Sequence, residues 1–211
     1  MAEPRVCALA GCDTEFVPSR RNQKFCSLAH AQQASNGRRS YSRDPLFMRP
    51  REFKTLVIPT LPDGYKVIIV NDLQRPFQDN RVLEAVERLW DDYKPDLEIL
   101  NGDIADCYIV SDHVQNPSRA FSFQDEMDDT RRWLFERAVA NPNARRIFIE
   151  GNHEDRIRRF LWKQAPALSS LRSLSLPELL GFDELKMEHL NYNSRVNLLG
   201  FLIEHGYKSS G

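Results

Sequence analysis

Ile147-Phe-Ile-Glu-Gly-Asn-His-Glu-Asp155 is an apolar run that breaks, at a glycine, into four consecutive side chains able to bind a metal or move a proton. The apolar half is a short strand by composition. Gly151 marks its end, because glycine lets the backbone turn sharply and approach a ligand closely. Three more apolar runs end the same way. Val67-Ile-Ile-Val70 meets Asn71-Asp72, Leu97-Glu-Ile-Leu100 meets Asn101-Gly-Asp103, and Phe201-Leu-Ile203 meets Glu204-His205-Gly206. One aspartate after a strand is ordinarily a turn or cap residue. Four strand ends carrying carboxylate, carboxamide and imidazole are a metal-ligand set, and open α/β sheets gather such groups at the carboxyl ends of their strands.

The surrounding chain supplies that sheet. Thr55–Ile58 and Tyr65–Val70 are β-branched runs on either side of a Pro62-Asp-Gly64 turn signal. Asn80–Tyr93 carries Val82, Leu83, Val86, Leu89, Trp90 and Tyr93 at helical spacing. Asp125–Ala140 reads as a second helix with Met127, Trp133, Leu134 and Val139 as its apolar face, closed by Asn141-Pro-Asn143. Further helix is expected through Leu174, then a hairpin of Val196–Leu199 and Phe201–Glu204. Alternating strands and helices predict an α/β fold built from crossover units.

These strand ends resemble the calcineurin-like metallophosphoesterase superfamily, whose motifs run Asp-x-His, Gly-Asp-x-x-Asp, Gly-Asn-His-(Glu/Asp), a later His, and Gly-His-x-His. Here they read Asp72-Leu73-Gln74, Gly102-Asp103-Ile104-Ala105-Asp106, Gly151-Asn152-His153-Glu154 and His205-Gly206. The Asp-Leu-Gln-Arg-Pro-Phe and Gly-Asn-His-Glu-Asp-Arg stretches look most like phage and prokaryotic members. The resemblance spans about residues 65 to 206 and implies a β-sandwich flanked by helices. It implies a metal-dependent hydrolase of phosphomonoesters or phosphodiesters, with a nuclease acting on DNA or RNA as one form. Two divalent ions (manganese, iron or zinc) would be held by Asp72, Gln74, Asp103, Asn152 and His205, with Asp103 as the bridge. His153 would stand near the leaving oxygen as proton donor or charge stabiliser, and Asp106 would orient a ligand or a water. His113 and Arg119, in the loop after Asp106, would reach substrate.

Two departures stand out. Gln74 occupies the family's histidine position, and a neutral carboxamide is the weaker, harder ligand. Gly-His-x-His is absent before Gly211. The expectation is therefore a fold incomplete at its carboxyl end, whose open sheet edge needs a further segment or a partner chain. The contrasting reading is a zinc-dependent nucleic-acid-binding protein with a catalytically impaired phosphoesterase body.

Cysteine usage separates off the amino-terminal part. Cys7, Cys12 and Cys26 precede His30, whereas Cys107 stands alone as an expected buried thiol. Cys7-x4-Cys12-x13-Cys26-x3-His30 has the form of a structural zinc site. Cys26 near a helix start puts His30 one turn on, on the same face. This head resembles treble-clef-like zinc modules of phage and bacterial nucleic-acid proteins. Arg20, Arg21, Lys24, Arg38 and Arg39 make it basic, which suits phosphate contact. The expected layout is a zinc-binding module at 1–34, a polar linker at 35–54 and a metallophosphoesterase domain at 55–211.

Charge agrees with two units. Residues 1–54 hold ten Lys/Arg against five Asp/Glu, and the remainder holds 19 against 25, within a net charge of −1. At 41% hydrophobic and 28% charged residues, disordered, collagenous and disulfide-scaffold classes are excluded. No run of about 18 apolar residues predicts a membrane span, and 1–16 lacks an apolar signal core. The expected location is the cytoplasm of a bacterial or phage-infected cell.

Overall fold

The computed structural model describes residues 3–9, 11–19, 23–27, 29, 30, 53–114, 116 and 121–206. The chain divides into two compact units, Met1–Pro50 and Arg51–Gly211. Arg119 lies outside the described residues, as do Arg20, Arg21, Arg38, Arg39 and most of the expected linker.

In the first unit, β1 (Arg5–Val6) and β2 (Glu15–Phe16) pair antiparallel. The loop between them closes through Cys7 N–H to Thr14 O (3.0 Å) and Cys12 N–H to Leu9 O (3.1 Å), with Gly11 left-handed at φ 82°. Phe16 and Phe25 are half-buried.

The second unit is a two-sheet sandwich with helices on one outer face. β4 (Val67–Val70), β5 (Leu97–Asn101), β6 (Arg145–Ile149) and β7 (Met187–Leu190) form a parallel sheet in that order. The other sheet runs β3 (Thr55–Ile58), β8 (Arg195–Leu198), β9 (Phe201–Glu204); β3 is parallel to β8, and β9 is antiparallel to β8. The expected hairpin of the last two strands is present. The Pro62 turn also forms, through Tyr65 N–H to Pro62 O (3.1 Å), but the strands it joins diverge into different sheets. No described helix is long and apolar enough to cross a membrane.

The central strands are buried on both faces, as parallel strands covered on both sides must be. Leu97, Ile99, Ile147 and Ile149 point into the sandwich and meet Ile58, Val196 and Leu198 of the other sheet. Leu100 and Phe148 point the other way. There they meet helices α1 (Asn80–Tyr93), α2 (Phe123–Ala140) and the short α4 (Leu176–Leu180) and α5 (Phe182–Leu185), while α3 (Asp155–Gln164) follows β6. Each fully buried Leu, Ile or Phe contributes about 1.5–3 kcal/mol.

On α1 only Leu83 and Trp90 are buried; Val82, Leu89 and Tyr93 face solvent, contrary to the helical-face reading. Trp90 anchors the helix because its Nε1–H donates to the buried Glu98 carboxylate (3.0 Å), which also pairs with Arg146 (2.9 Å). Helix α2 starts two residues before the expected Asp125. Ser122 caps it by accepting from Asp125 N–H, and Asp125 accepts the Ser122 N–H in return. Met127, Trp133 and Leu134 are buried as expected, but Val139 is exposed. At the sheet edge, β9 leaves Phe201 and Leu202 exposed.

Candidate metal centre

Parallel order puts the ends of β4, β5 and β6 on one rim of the sheet. The loops after them are tied together by backbone. Asp72 N–H donates to Gly102 O (3.1 Å) and Gln74 N–H to Asp103 O (2.9 Å). Asp72, Gln74 and Asp103 are left-handed, at φ 56°, 52° and 54°. Non-glycine residues avoid that region, and such strain persists where the surroundings over-determine it, often at functional sites. The fourth loop comes from the other sheet. Asn101 Nδ2–H donates to Glu204 O (3.2 Å), and His205 Nδ1 lies 2.8 Å from Asn101 O. A carbonyl can only accept, so His205 carries its proton on Nδ1 and turns Nε2 inward.

The result is a donor cluster. Oxygen and nitrogen atoms of Asp72, Asp103 and His205 lie within 4.8 Å of one another. His205 Nε2 is 3.3 Å from Asp103 Oδ2 and 3.2 Å from Asn152 Oδ1. Asp103 is buried, and Asp72 is exposed at the mouth. The hydrogen bond with Asp103 raises His205 to about 9, since the carboxylates favour positive charge at that point. Burial opposes the charge on Asp103, but His205 and the His153 N–H (2.9 Å) outweigh it and hold the carboxyl below its usual range. A site that favours positive charge and aims carboxylate, carboxamide and imidazole inward fits a divalent cation.

Two glycines make room for it. A Cβ on Gly102 would lie 2.5 Å from His205 Nδ1, and one on Gly151 would lie 2.1 Å from Asp103 Oδ1. Beneath them sits Glu154, which the motif reading leaves without a role. Its Oε2 accepts from Asp103 N–H (2.9 Å) and Gly151 N–H (2.8 Å); its Oε1 accepts from Ile104 N–H (2.8 Å) and Ala105 N–H (3.0 Å). Burial and the nearby Asp103 push Glu154 up to about 7, against those four donors. Glu150, equally buried, gathers His189 (2.8 Å), Arg158 (2.7 Å) and the Tyr192 N–H (3.1 Å). These carboxylates position loops. Their signal in the sequence is a Glu on each side of the Gly-Asn-His motif.

The remaining expected residues surround the cluster. His153 Nε2 is 3.5 Å from Asp103 Oδ2, and its Nδ1 is 2.8 Å from Asp106 Oδ1, at a distance but not an angle suited to a hydrogen bond. Gln74 and Asp72 line a hollow of about 500 Å³ that runs along α1. His113 lines another, of about 440 Å³, with Asn152, Arg156, Tyr192 and Gly206. Arginines 156, 158 and 159 are not a free surface stripe, because each pairs with a carboxylate: Asp106, Glu150 and Asp155 respectively. Cys107 is fully buried, as expected, and burial raises its thiol pKa well above the ordinary value.

The first unit holds a separate cluster. Donor atoms of Cys7, Cys12, Cys26 and His30 lie within 4.8 Å of one another. Cys12 and Cys26 sulfurs are 3.9 Å apart, and His30 Nδ1 is 3.1 Å from Cys26 Sγ and 3.7 Å from Cys7 Sγ. A tetrahedral ion with bonds of about 2.3 Å to sulfur spaces its sulfurs by about 3.8 Å. All four cysteines are free thiols.

No curated protein and no solved structure matches the chain. Residues 65–209 match the family model described as calcineurin-like phosphoesterase, the span that carries every loop of the body's cluster. The chain belongs to the calcineurin-like phosphoesterases, a family of metal-dependent hydrolases.

Proposed function

We propose that the body hydrolyses a phosphodiester through a two-metal centre held by Asp72, Gln74, Asp103, Asn152 and His205. The observation that carries this reading is the convergence of Asp72, Asp103 and His205 within 4.8 Å. When bound, two divalent ions supply an activated water and positive charge for the phosphoryl oxygens. Asp103, placed between the Asp72 and Asn152 loops, is the carboxylate suited to bridge them. Asn152 offers its carboxamide oxygen, and His205 its Nε2. His153 stands beside Asp103 and would serve the leaving oxygen as proton carrier, with Asp106 close to its far nitrogen. The two hollows, one beside Asp72 and one beside Asn152, leave room for a substituent on each side of a phosphate. That favours a diester over a monoester.

The amino-terminal unit is read as a structural zinc module on Cys7, Cys12, Cys26 and His30. With the basic composition of 1–54, it favours nucleic acid as the bearer of the phosphodiester. Gln74, in place of a histidine, favours a second reading in which the body binds nucleic acid without cutting it. Hydrolysis of bis(p-nitrophenyl) phosphate and of single- and double-stranded DNA with added manganese separates the two. Turnover that is lost in Asp103→Asn supports the enzyme. Turnover that survives both Asp103→Asn and chelation refutes the two-metal centre, and DNA retention without turnover supports the second reading.

A further inference from the structure

Arg156 sits in the first turn of α3, between the proton-carrying histidine and the 440 Å³ hollow. Its fork is held at both ends, by a charged partner on one side and by an imidazole on the other. Nη1 donates to the Asp106 carbonyl (2.8 Å) and to Asp106 Oδ1 (3.2 Å). Nη2 lies 2.8 Å from His153 Nε2. A guanidinium can only donate, so the imidazole nitrogen accepts. That nitrogen is the one facing Asp103, at 3.5 Å. The two contacts in series place Arg156 Nη2 at most about 6 Å from the Asp103 carboxylate, with the imidazole nitrogen between them, so the fork borders the candidate metal centre.

A neutral imidazole is a modest acceptor for a guanidinium, and a phosphoryl oxygen is a strong one. A phosphoryl oxygen adds an opposite charge that the imidazole lacks, and a phosphate can accept two parallel N–H bonds from a guanidinium fork. While Arg156 occupies His153 Nε2, that nitrogen cannot serve a leaving oxygen. A phosphate at the cluster offers Nη2 a better partner and frees the imidazole at the same moment. Nη1, fixed on Asp106, keeps the fork aimed during the exchange, as a planar guanidinium does and an ammonium does not.

We propose that Arg156 is a phosphoryl-binding residue of this site, parked on His153 Nε2 until a phosphate displaces it. The inference rests on the metal-centre reading above. Phosphate is the probe and manganese the loading ion, with the full chain in every case. Isothermal titration gives manganese affinity first, then inorganic phosphate affinity of the loaded protein, for wild type, Arg156→Gln and Arg156→Lys. The expected result is an unchanged manganese affinity in both variants. Phosphate binding weakens about 10- to 100-fold in Arg156→Gln, with part of the loss recovered in Arg156→Lys.

Equal phosphate affinity in wild type and Arg156→Gln overturns the assignment. So does a parallel loss of manganese affinity, which would make Arg156 a prop for Asp106 and His153. If Arg156→Gln does not fold, Arg156→Lys decides alone: a several-fold weaker phosphate affinity at constant manganese affinity supports the proposal, and no change refutes it. A wild-type chain that takes up no manganese removes the metal centre itself, and this inference falls with it.

Discussion

Replacing Gly151 by alanine puts a methyl group where the structure already has Asp103. The added Cβ would stand 2.1 Å from Asp103 Oδ1, 2.4 Å from its N and 2.9 Å from its Cγ, where ordinary contact begins at 3.4 Å. The shortfall against the carboxylate oxygen is therefore about 1.3 Å. Asp103 cannot simply rotate away, because its backbone N–H is held by Glu154 (2.9 Å) and its Oδ1 by the His153 N–H (2.9 Å). One of the two loops must move by about 1 Å. Overpacking of this kind costs about 1–3 kcal/mol, or roughly 2–12 °C of melting temperature in a domain of this size. A 1 Å misplacement of a working group costs on the order of 100-fold in rate. The expected Gly151→Ala protein folds, melts lower, binds manganese more weakly and turns over bis(p-nitrophenyl) phosphate about 100-fold more slowly. Titration calorimetry, circular dichroism and a chromogenic assay read these three effects. A folded variant with wild-type manganese affinity and rate would show that the Asp103 carboxylate does not work from the place described.

Glu154→Gln turns one of two accepting oxygens into a donor facing two N–H groups of Asp103 and Gly151 or of Ile104 and Ala105; at about 1–3 kcal/mol per stranded buried donor, urea unfolding should show a loss of at least about 2 kcal/mol. Cys26→Ser removes the thiol closest to His30, so zinc content by atomic spectroscopy should fall by one equivalent relative to wild type, and an unchanged content refutes the zinc module. Ser122→Ala removes the α2 cap and should cost about 1 kcal/mol. Ser122 donors hold Asp125 below its ordinary 3.8, so this cap contributes above that pH and fades as acid titrates Asp125; the Ser122→Ala penalty, measured by chemical unfolding, should shrink at low pH.

What the sequence tells depends on how directly a residue's neighbours are its chain neighbours. β5 and β6 are legible because the parts of a strand buried on both faces must be apolar, save the paired Glu98 and Arg146; the half-buried ends, Asn101 and Arg145, are polar. Met187–Leu190 carries no such signal. Its central Glu188 and His189 are polar because they answer Arg145 on the neighbouring strand and Glu150 just past its end, a pairing visible only in three dimensions. Val82, Leu89 and Val139 fit a helical period yet face solvent, since the period gives a stripe and not its partner. In the candidate site, Asp72, Asp103, Asn152 and His205 are legible because each ends a strand. Arg156 reads as a charged surface residue until Asp106 and His153, from other loops, come within reach.

The cluster draws Asp72, Asp103 and Asn152 from one sheet and His205 from the hairpin of the other. Between those layers the sandwich otherwise relies on side-chain packing and a few contacts such as Asn101 with Glu204. An ion held there acts as a rivet through the seam, and loading should raise the unfolding temperature with ion concentration by simple mass action. The β8–β9 hairpin, whose outer strand leaves Phe201 and Leu202 exposed, would be tied to the parallel sheet through His205, so the catalyst would be stiffest when it is ready to work.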